Sequence, residues 1–246
     1  MSATFYREYT GDARHASRVA CVWAQRAEAP YVQRVVPDGC VDVLLIGTEL
    51  QVAGPDTRAV PARLGPDAPV TGVRFQPGQA PGVLGVPMDA LRDQRVPLAE
   101  LWGADAERIV ERVGVAVAEE APGAVRGYGA ARALEELVLA RAAEAPDAVA
   151  VATGRALCPG GGWPRVARVA EDLGLSERQL RRRCLTAFGY GPKTLQRVIR
   201  FQRALRAARA PDADLAAIAY RFGYADQAHL SREVRALAGA PLTSLI

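Results

Sequence analysis

The spacing of apolar and polar positions changes rhythm along the chain. Up to about residue 100, apolar residues come in short runs: Val19-Ala-Cys-Val-Trp23, Val41-Asp-Val-Leu-Leu-Ile46 and Val70-Thr-Gly-Val-Arg-Phe75. These runs are rich in β-branched side chains and bounded by Gly, Pro and Asp, a pattern that predicts strands. Turn signals recur at Pro37-Asp38-Gly39, Gly54-Pro55-Asp56, Gly65-Pro66-Asp67 and Gln76-Pro77-Gly78, and this frequency suits a small barrel or sandwich. The period then lengthens. Ile109, Val110, Val113 and Val117 form one stripe within Asp105 to Glu119, and Leu134, Leu137 and Val138 another within Tyr128 to Ala143. Both predict amphipathic helices, whose apolar faces would serve either packing or dimerisation.

The last eighty residues contain a repeat. The first copy reads Val169-Ala-Glu-Asp-Leu-Gly174-Leu-Ser176-Glu-Arg-Gln-Leu180 and runs on to Phe188-Gly189. The second reads Ile218-Ala-Tyr-Arg-Phe-Gly223-Tyr-Ala-Asp226-Gln-Ala-His-Leu230 and runs on to Ala238-Gly239. Leu180 to Gly189 and Leu230 to Gly239 are both nine residues apart, and Gly174 and Gly223 are separated by 49. Small Ala170 and Ala219 permit close helix packing, and Gly174 and Gly223 suit the left-handed end of a helix. Ser176 with Gln179 predicts a capping box, and Asp226 predicts the second cap. This is the helix-turn-helix arrangement, whose second helix enters the major groove. Between the copies, Pro192 is placed to open a connecting helix with Leu195, Val198, Ile199, Gln202 and Leu205 on its stripe, and Pro211-Asp212 to end it. Arg197, Arg200, Arg203, Arg206 and Arg209 recur every third residue along it, so they wind around the helix rather than share one face.

Charge sharpens this division. From Trp163 onward 15 Arg/Lys stand against 7 Asp/Glu, a net of +8, while the remainder carries 16 against 20, a net of −4. A basic end on an acidic remainder is the asymmetry of a nucleic-acid-binding domain joined to a regulatory one. Lys193 is the only lysine and asparagine is absent, so phosphate contacts fall to arginine. No apolar run is long enough to span a membrane, and the start lacks the apolar core of a signal peptide; the expected location is the cytoplasm. Cys21, Cys40, Cys158 and Cys184 form no CxxC pair, which argues against a disulfide framework or structural zinc. The glycine-rich stretch Cys158-Pro-Gly-Gly-Gly-Trp163 marks a flexible break, and no Gly-Lys-Ser/Thr follows it to make a phosphate loop.

Residues from roughly Asp147 to Ile246 resemble the AraC/XylS class of transcription regulators. The likeness rests on Leu173-Gly-Leu-Ser-Glu-Arg-Gln-Leu-Arg-Arg-Arg183, Gly189-Tyr-Gly-Pro192 and Ile218-Ala-Tyr-Arg-Phe-Gly-Tyr-Ala-Asp-Gln-Ala-His-Leu-Ser-Arg232. It implies a seven-helix domain that reads DNA in two parts. The front part resembles an uncharacterised domain attached to some such regulators, through Val36-Pro-Asp-Gly-Cys-Val-Asp-Val43 and Ala53-Gly-Pro-Asp-Thr57. The expected fold is therefore α+β: a β-rich regulatory domain over 1–103, a helical linker or dimerisation segment over 104–146, and an all-α DNA-binding domain over 147–246 with two helix-turn-helix units joined by a connecting helix.

Double-stranded DNA is the expected partner. With Leu180, Cys184 and Leu185 turned inward, Arg178, Arg181 and Arg182 face the groove, where the family's motif places base readers, and Arg183 is assigned to phosphate. In the second recognition helix the matching positions are Gln227, Ala228, Ser231 and Arg232; His229 is expected to be locally bonded. RNA polymerase, a small-molecule effector and a second copy of the chain stay open as partners. His15 is the only histidine of the front part, so a multi-histidine metal site cannot form there. No metal or cofactor is expected, and no enzymatic motif appears. Trp23, Arg34, Arg74 and Phe75 are either ordinary packing or the lining of an effector pocket. Asp38-Gly39 reads as a turn pair. Cys40 and Cys21 are either inert buried thiols or a redox or alkylation sensor.

Overall fold

The computed structural model describes residues 4–66, 69–118, 127–142, 147–159 and 162–246. The front part is built on eight strands: β1 (Thr4–Tyr9), β2 (Val19–Ala27), β3 (Tyr31–Val35), β4 (Asp42–Ile46), β5 (Glu49–Ala53), β6 (Val60–Leu64), β7 (Pro69–Phe75) and β8 (Arg95–Pro97). Six of them form one antiparallel sheet in the order β1-β2-β7-β4-β5-β8, and β3 pairs with β6 in a separate ribbon. The three runs expected as strands are the three central strands of this sheet. Trp23 sits opposite Gly72 in the β2–β7 register. The indole occupies the space where a side chain on residue 72 would lie, so glycine here makes room for the largest side chain in the strand.

One face of the sheet carries Val22, Val43, Leu45, Val52, Val73 and Phe75, all buried. The short helices α1 (Pro81–Leu84) and α2 (Leu98–Trp102) precede two longer ones, α3 (Ala104–Ala118) and α4 (Tyr128–Leu139). Ile109 and Val113 of α3, with Leu134 and Val138 of α4, are buried in the same core as the sheet. These four stripe residues are covered by packing within the chain.

The rest is all helical: α5 (Ala148–Leu157), α6 (Val166–Asp172), α7 (Glu177–Phe188), α8 (Pro192–Ala208), α9 (Leu215–Arg221) and α10 (Gln227–Ala238). Two cores lie here, one for each repeated unit. Leu157, Val169, Leu180, Cys184 and Phe188 make the first, and Ile218, Leu230, Val234 and Leu237 the second. The connecting helix α8 serves both, sending Leu195 into the first and Phe201, Ala204 and Leu205 into the second. Ile199 and Gln202, which the apolar spacing places on the same stripe, are half-buried and also meet the front part, Ile199 from the edge of the first core. Ile199 meets Gly39, and Gln202 Nε2 donates to Pro37 O at 2.6 Å. Gly160 and Gly161 of the glycine-rich stretch lie outside the described residues. The carbonyls just before them, Cys158 and Pro159, each accept from Arg203 at 2.6 Å.

The two parts meet at a polar and tightly fitted joint. Tyr190, 1% exposed, donates its hydroxyl to Asp56 O at 3.0 Å. Arg92 donates to Gly189 O, Arg34 to Ala238 O and the Ala59 N–H to Leu237 O. Gly189 has φ +75°, and a Cβ there would collide with Pro55 and crowd the Met88 carbonyl. Gly174 has φ +65° with open space around it. Alanine at 174 should therefore lose only the conformational cost, about 1–2 kcal/mol. Alanine at 189 should lose that plus a packing cost of roughly 1–3 kcal/mol. Urea unfolding of the two variants measures the difference; equal losses would mean that the joint is loose in solution.

Candidate nucleic-acid interface

Each recognition helix is set by the same local devices. In the first unit the chain leaves α6 through Gly174, and the Leu175 N–H returns to Ala170 O at 2.8 Å. In the second it leaves α9 through Gly223, and the Tyr224 N–H returns to Ala219 O at 2.9 Å. Both alanines are buried, so the return bond closes against a small residue in each copy. Helix α7 then starts with a full capping box: Ser176 Oγ accepts from the Gln179 N–H at 3.2 Å and Gln179 Oε1 from the Ser176 N–H at 2.8 Å. Helix α10 starts with Asp226 Oδ1 accepting from the His229 N–H at 2.6 Å. Each helix ends on a glycine with positive φ, Gly189 at +75° and Gly239 at +63°.

With Leu180, Cys184, Ala187 and Phe188 buried, and Leu185 half-buried at their edge, α7 presents Arg178, Arg181, Arg182 and Arg183 to solvent. On α10, Leu230, Val234 and Leu237 are buried, and Gln227, Ala228, Ser231 and Arg232 are exposed. Arg182 and Arg232 each stand two residues after the buried leucine of their unit. Ser231 Oγ donates to Gln227 O at 2.9 Å, which leaves its lone pairs outward as acceptors. His229 Nδ1 accepts from the Ala225 N–H at 3.2 Å and its ring stands edge-on to Tyr224. That is a local role, as the sequence suggests.

Two populations of arginine separate here. Arg197 pairs with Glu233 at 2.6 Å, Arg200 lies over the Tyr224 ring, and Arg203 lies over Trp163 while bonding two carbonyls. These connecting-helix arginines are occupied by the fold. Arg178, Arg181, Arg182, Arg183 and Arg232 have no ion pair among the described residues. A planar guanidinium left unpaired and solvated can bond guanine O6 and N7 together, or a phosphate.

Residues 169–245 match a family described as a helix-turn-helix domain, and residues 7–97 match a domain of unknown function (DUF6597). The C-terminal part is thus similar to a helix-turn-helix family, in keeping with the two repeated units seen there. No match was found among curated proteins. Among solved structures, ToxT from Vibrio cholerae O395 is 9% identical, with a TM-score of 0.47, over 99% of this chain and 96% of that one. A second ToxT structure is 10% identical with a TM-score of 0.46, over 99% and 97%. The transcriptional regulator CdpR from Pseudomonas aeruginosa is 16% identical with a TM-score of 0.34, over 74% of this chain. The chain spans 46% of the length of CdpR. The likeness of residues 169–245 to helix-turn-helix domains rests on the family match and the geometry, not on these distant folds.

The front domain does not gather Trp23, Arg34, Arg74 and Phe75 around one pocket. Trp23 lies on Gly72 and Phe75 is fully buried in the core. Arg74 is held by Asp42 at 3.0 and 3.1 Å and by Glu8 at 3.2 Å, and Arg34 reaches the C-terminal helical part at Ala238. His15 is held through Nδ1 at 3.2 Å from fully buried Glu135. Asp38 Oδ1 accepts from the Cys40 N–H at 2.8 Å, and Gly39 has φ +81°, so this pair is a turn. Among the described residues no helix is long and apolar enough to cross a membrane.

The thiols also differ from one expectation. Sequence neighbours offer Cys21 and Cys40 no cation, yet Arg74 lies close enough to pull both toward the thiolate. Burial outweighs it: Cys21 is pushed up to about 12 and Cys40 well above the usual thiol value. Burial likewise pushes Cys184 up to about 12 and Cys158 to about 11. The thiolate is the reactive form, so this burial opposes thiol sensing. It also fixes a pH dependence. A thiol that holds its proton more tightly when folded contributes stability fully present below its unfolded value, 9.0, and lost as pH rises toward the folded value. The urea midpoint should therefore be lower at pH 10.5 than at pH 8, and Cys21→Ala should shrink that difference. A midpoint independent of pH across this window would contradict the burial.

Proposed function

We propose that this protein is a sequence-specific, cytoplasmic transcription regulator that reads two adjacent major grooves with α7 and α10. The observation that carries this reading is the pairing of two capped recognition helices in matched register, each with unpaired arginine on its outward face. Arg178, Arg181 and Arg182 read bases in the first groove, with Arg183 on phosphate; Gln227, Ala228, Ser231 and Arg232 meet the second. Three arginines in one groove favour guanines, and Gln227 suits adenine or phosphate. The two sets of residues differ, so one chain should read two unlike elements.

The single helix α8 packs into both cores, so the units cannot slide apart. If both read one face of the duplex, their centres are about 34 Å or 10–10.5 base pairs apart. Inserting about 5 base pairs between the two elements turns one to the far side of the duplex, as half of that repeat. Binding should then fall to the level of one unit plus backbone attraction, and a full-turn insertion should not restore it. Arg182→Ala and Arg232→Ala should each weaken specific binding by roughly 1–3 kcal/mol and relax preference at one position. An electrophoretic shift series on a sequence-selected duplex tests both points. Affinity indifferent to the 5-base-pair insertion would overturn the bipartite reading.

A further inference from the structure

A cleft of about 460 Å³ lies where the first recognition helix passes the front domain. Its wall brings together Arg18 and Gln79 from the front domain, Asp147 and Thr153 from the α5 region, and Arg182 and Arg183 from α7. Three features set it apart from an ordinary gap between domains. Arg18 is only 8% exposed, its Nη1 comes close to Gly82, and it has no side-chain hydrogen bond or ion pair among the described residues. A buried guanidinium without a counter-charge is costly. Gln79 is 1% exposed; its Nε2 lies 3.5 Å from Asp147 O, and its Oε1 is buried with no partner. Thr153 is fully buried and its hydroxyl also has no partner. Asp147, the one carboxylate in this wall, uses Oδ1 to cap α5 through the Val149 and Ala150 N–H groups.

We infer that this cleft is a binding site for a small hydroxylated oxyanion, a hydroxycarboxylate or a hydroxylated phosphate ester. The three guanidinium groups supply the counter-charge, with Arg18 as the buried anchor. The unpartnered acceptor on Gln79 calls for a donor on the ligand, which a hydroxyl supplies and a bare ion does not. Thr153 can accept from or donate to the same group. The volume suits a metabolite.

The site shares Arg182 with the reading face. Successive helical residues stand about 100° apart, so Arg178, Arg181 and Arg182 span one sector of α7. Arg183, Thr186 and Ala187 occupy the next, on the cleft side. Arg182 stands at the border of the two. A ligand that holds Arg182 and Arg183 removes them from DNA, so occupancy opposes binding to the operator. This coupling rests on the proposed function; the site itself does not.

The test uses the full chain with citrate and with glycerol phosphate, against sodium chloride of matched ionic strength. At least one probe should raise the melting temperature by several degrees in the native protein and by less than one degree in Arg18→Gln. Citrate alone acting would identify the carboxylate class, and glycerol phosphate alone the phosphate class. No rise beyond sodium chloride, or an equal rise in Arg18→Gln, would overturn the site. If Arg18→Gln does not fold, exposed Arg183→Gln takes its place, with calorimetric titration expected to show at least tenfold weaker binding. The active probe should also weaken binding to the selected duplex several-fold in the native protein and leave Arg18→Gln unaffected. A thermal shift without that effect would overturn the coupling alone. A thermal shift in a protein that binds no duplex would instead sink the proposed function and leave the site standing.

Discussion

Both recognition helices must end in a left-handed residue, and the fold attaches the front domain at those two ends. Gly189 and Gly239 each turn the chain out of a helix, and the last carbonyls of a helix have no partner within it. Here the partners come from outside: Arg92 serves Gly189 O, Ala59 serves Leu237 O, and Arg34 serves Ala238 O. Guanidinium groups at helix C-termini also meet the negative end of the helix dipole. The joint thus completes two helix ends, alongside apolar contacts such as Val36 on the second core. Its tight fit depends on residue 189 having no side chain.

This attachment leaves the outward residues at the starts of α7 and α10 exposed. In helix-turn-helix proteins the N-terminal residues of the recognition helix contact base edges. Arg178, Arg181 and Arg182 lie in the first half of α7, and Gln227, Ala228, Ser231 and Arg232 in the first half of α10. The front domain grips the other ends. It can therefore fix how the two helices lie relative to one another without filling the groove-facing side. Helix α8 holds the units together from within through two cores, and the front domain holds them from without.

Local chemistry was the readable part of the sequence. The caps at Ser176 and Asp226, the turns at Gly174 and Gly223, the opening of α8 at Pro192 and the three central strands all depend on residues within a few positions of one another. The apolar spacing of α3 and α4 also predicted which faces are buried, because a helix repeats its face every three or four residues; on α8 it found Leu195, Val198 and Leu205 but missed fully buried Phe201. Long-range partners were not readable. Tyr190 and Asp56 are 134 positions apart, and Arg34 and Ala238 are 204 apart. One trace existed: polar Gln202 on an otherwise apolar stripe signals a surface that meets polar backbone. The motifs around Pro37-Asp38-Gly39 and Gly54-Pro55-Asp56 carried another, since both supply backbone or ring atoms to the joint. Turn propensity alone accounted for them in the sequence, and so hid their second use.

The distribution of arginine makes the same point in electrostatic terms. A count assigns +8 to the C-terminal third, but it cannot tell a charge offered to DNA from one consumed by the fold. The every-third-residue series on α8 looks like the most basic feature of the chain. Yet Arg197 is taken by Glu233, Arg200 by Tyr224 and Arg203 by the Cys158 and Pro159 carbonyls. Their work is to tie the two units and the α5–α6 connection to α8. Arg206 and Arg209 of the series have no side-chain partner among the described residues, but the densest run of unpaired guanidinium groups is Arg178 to Arg183, beside the cleft that holds Arg18. Positive charge near a duplex is attracted to it wherever it sits, but specificity needs charge that is both unpaired and fixed in direction. The capping box of α7 fixes the direction of the helix, and among the described residues no carboxylate forms an ion pair with these groups. Total charge therefore says less about this domain than which guanidinium groups the fold leaves unpaired.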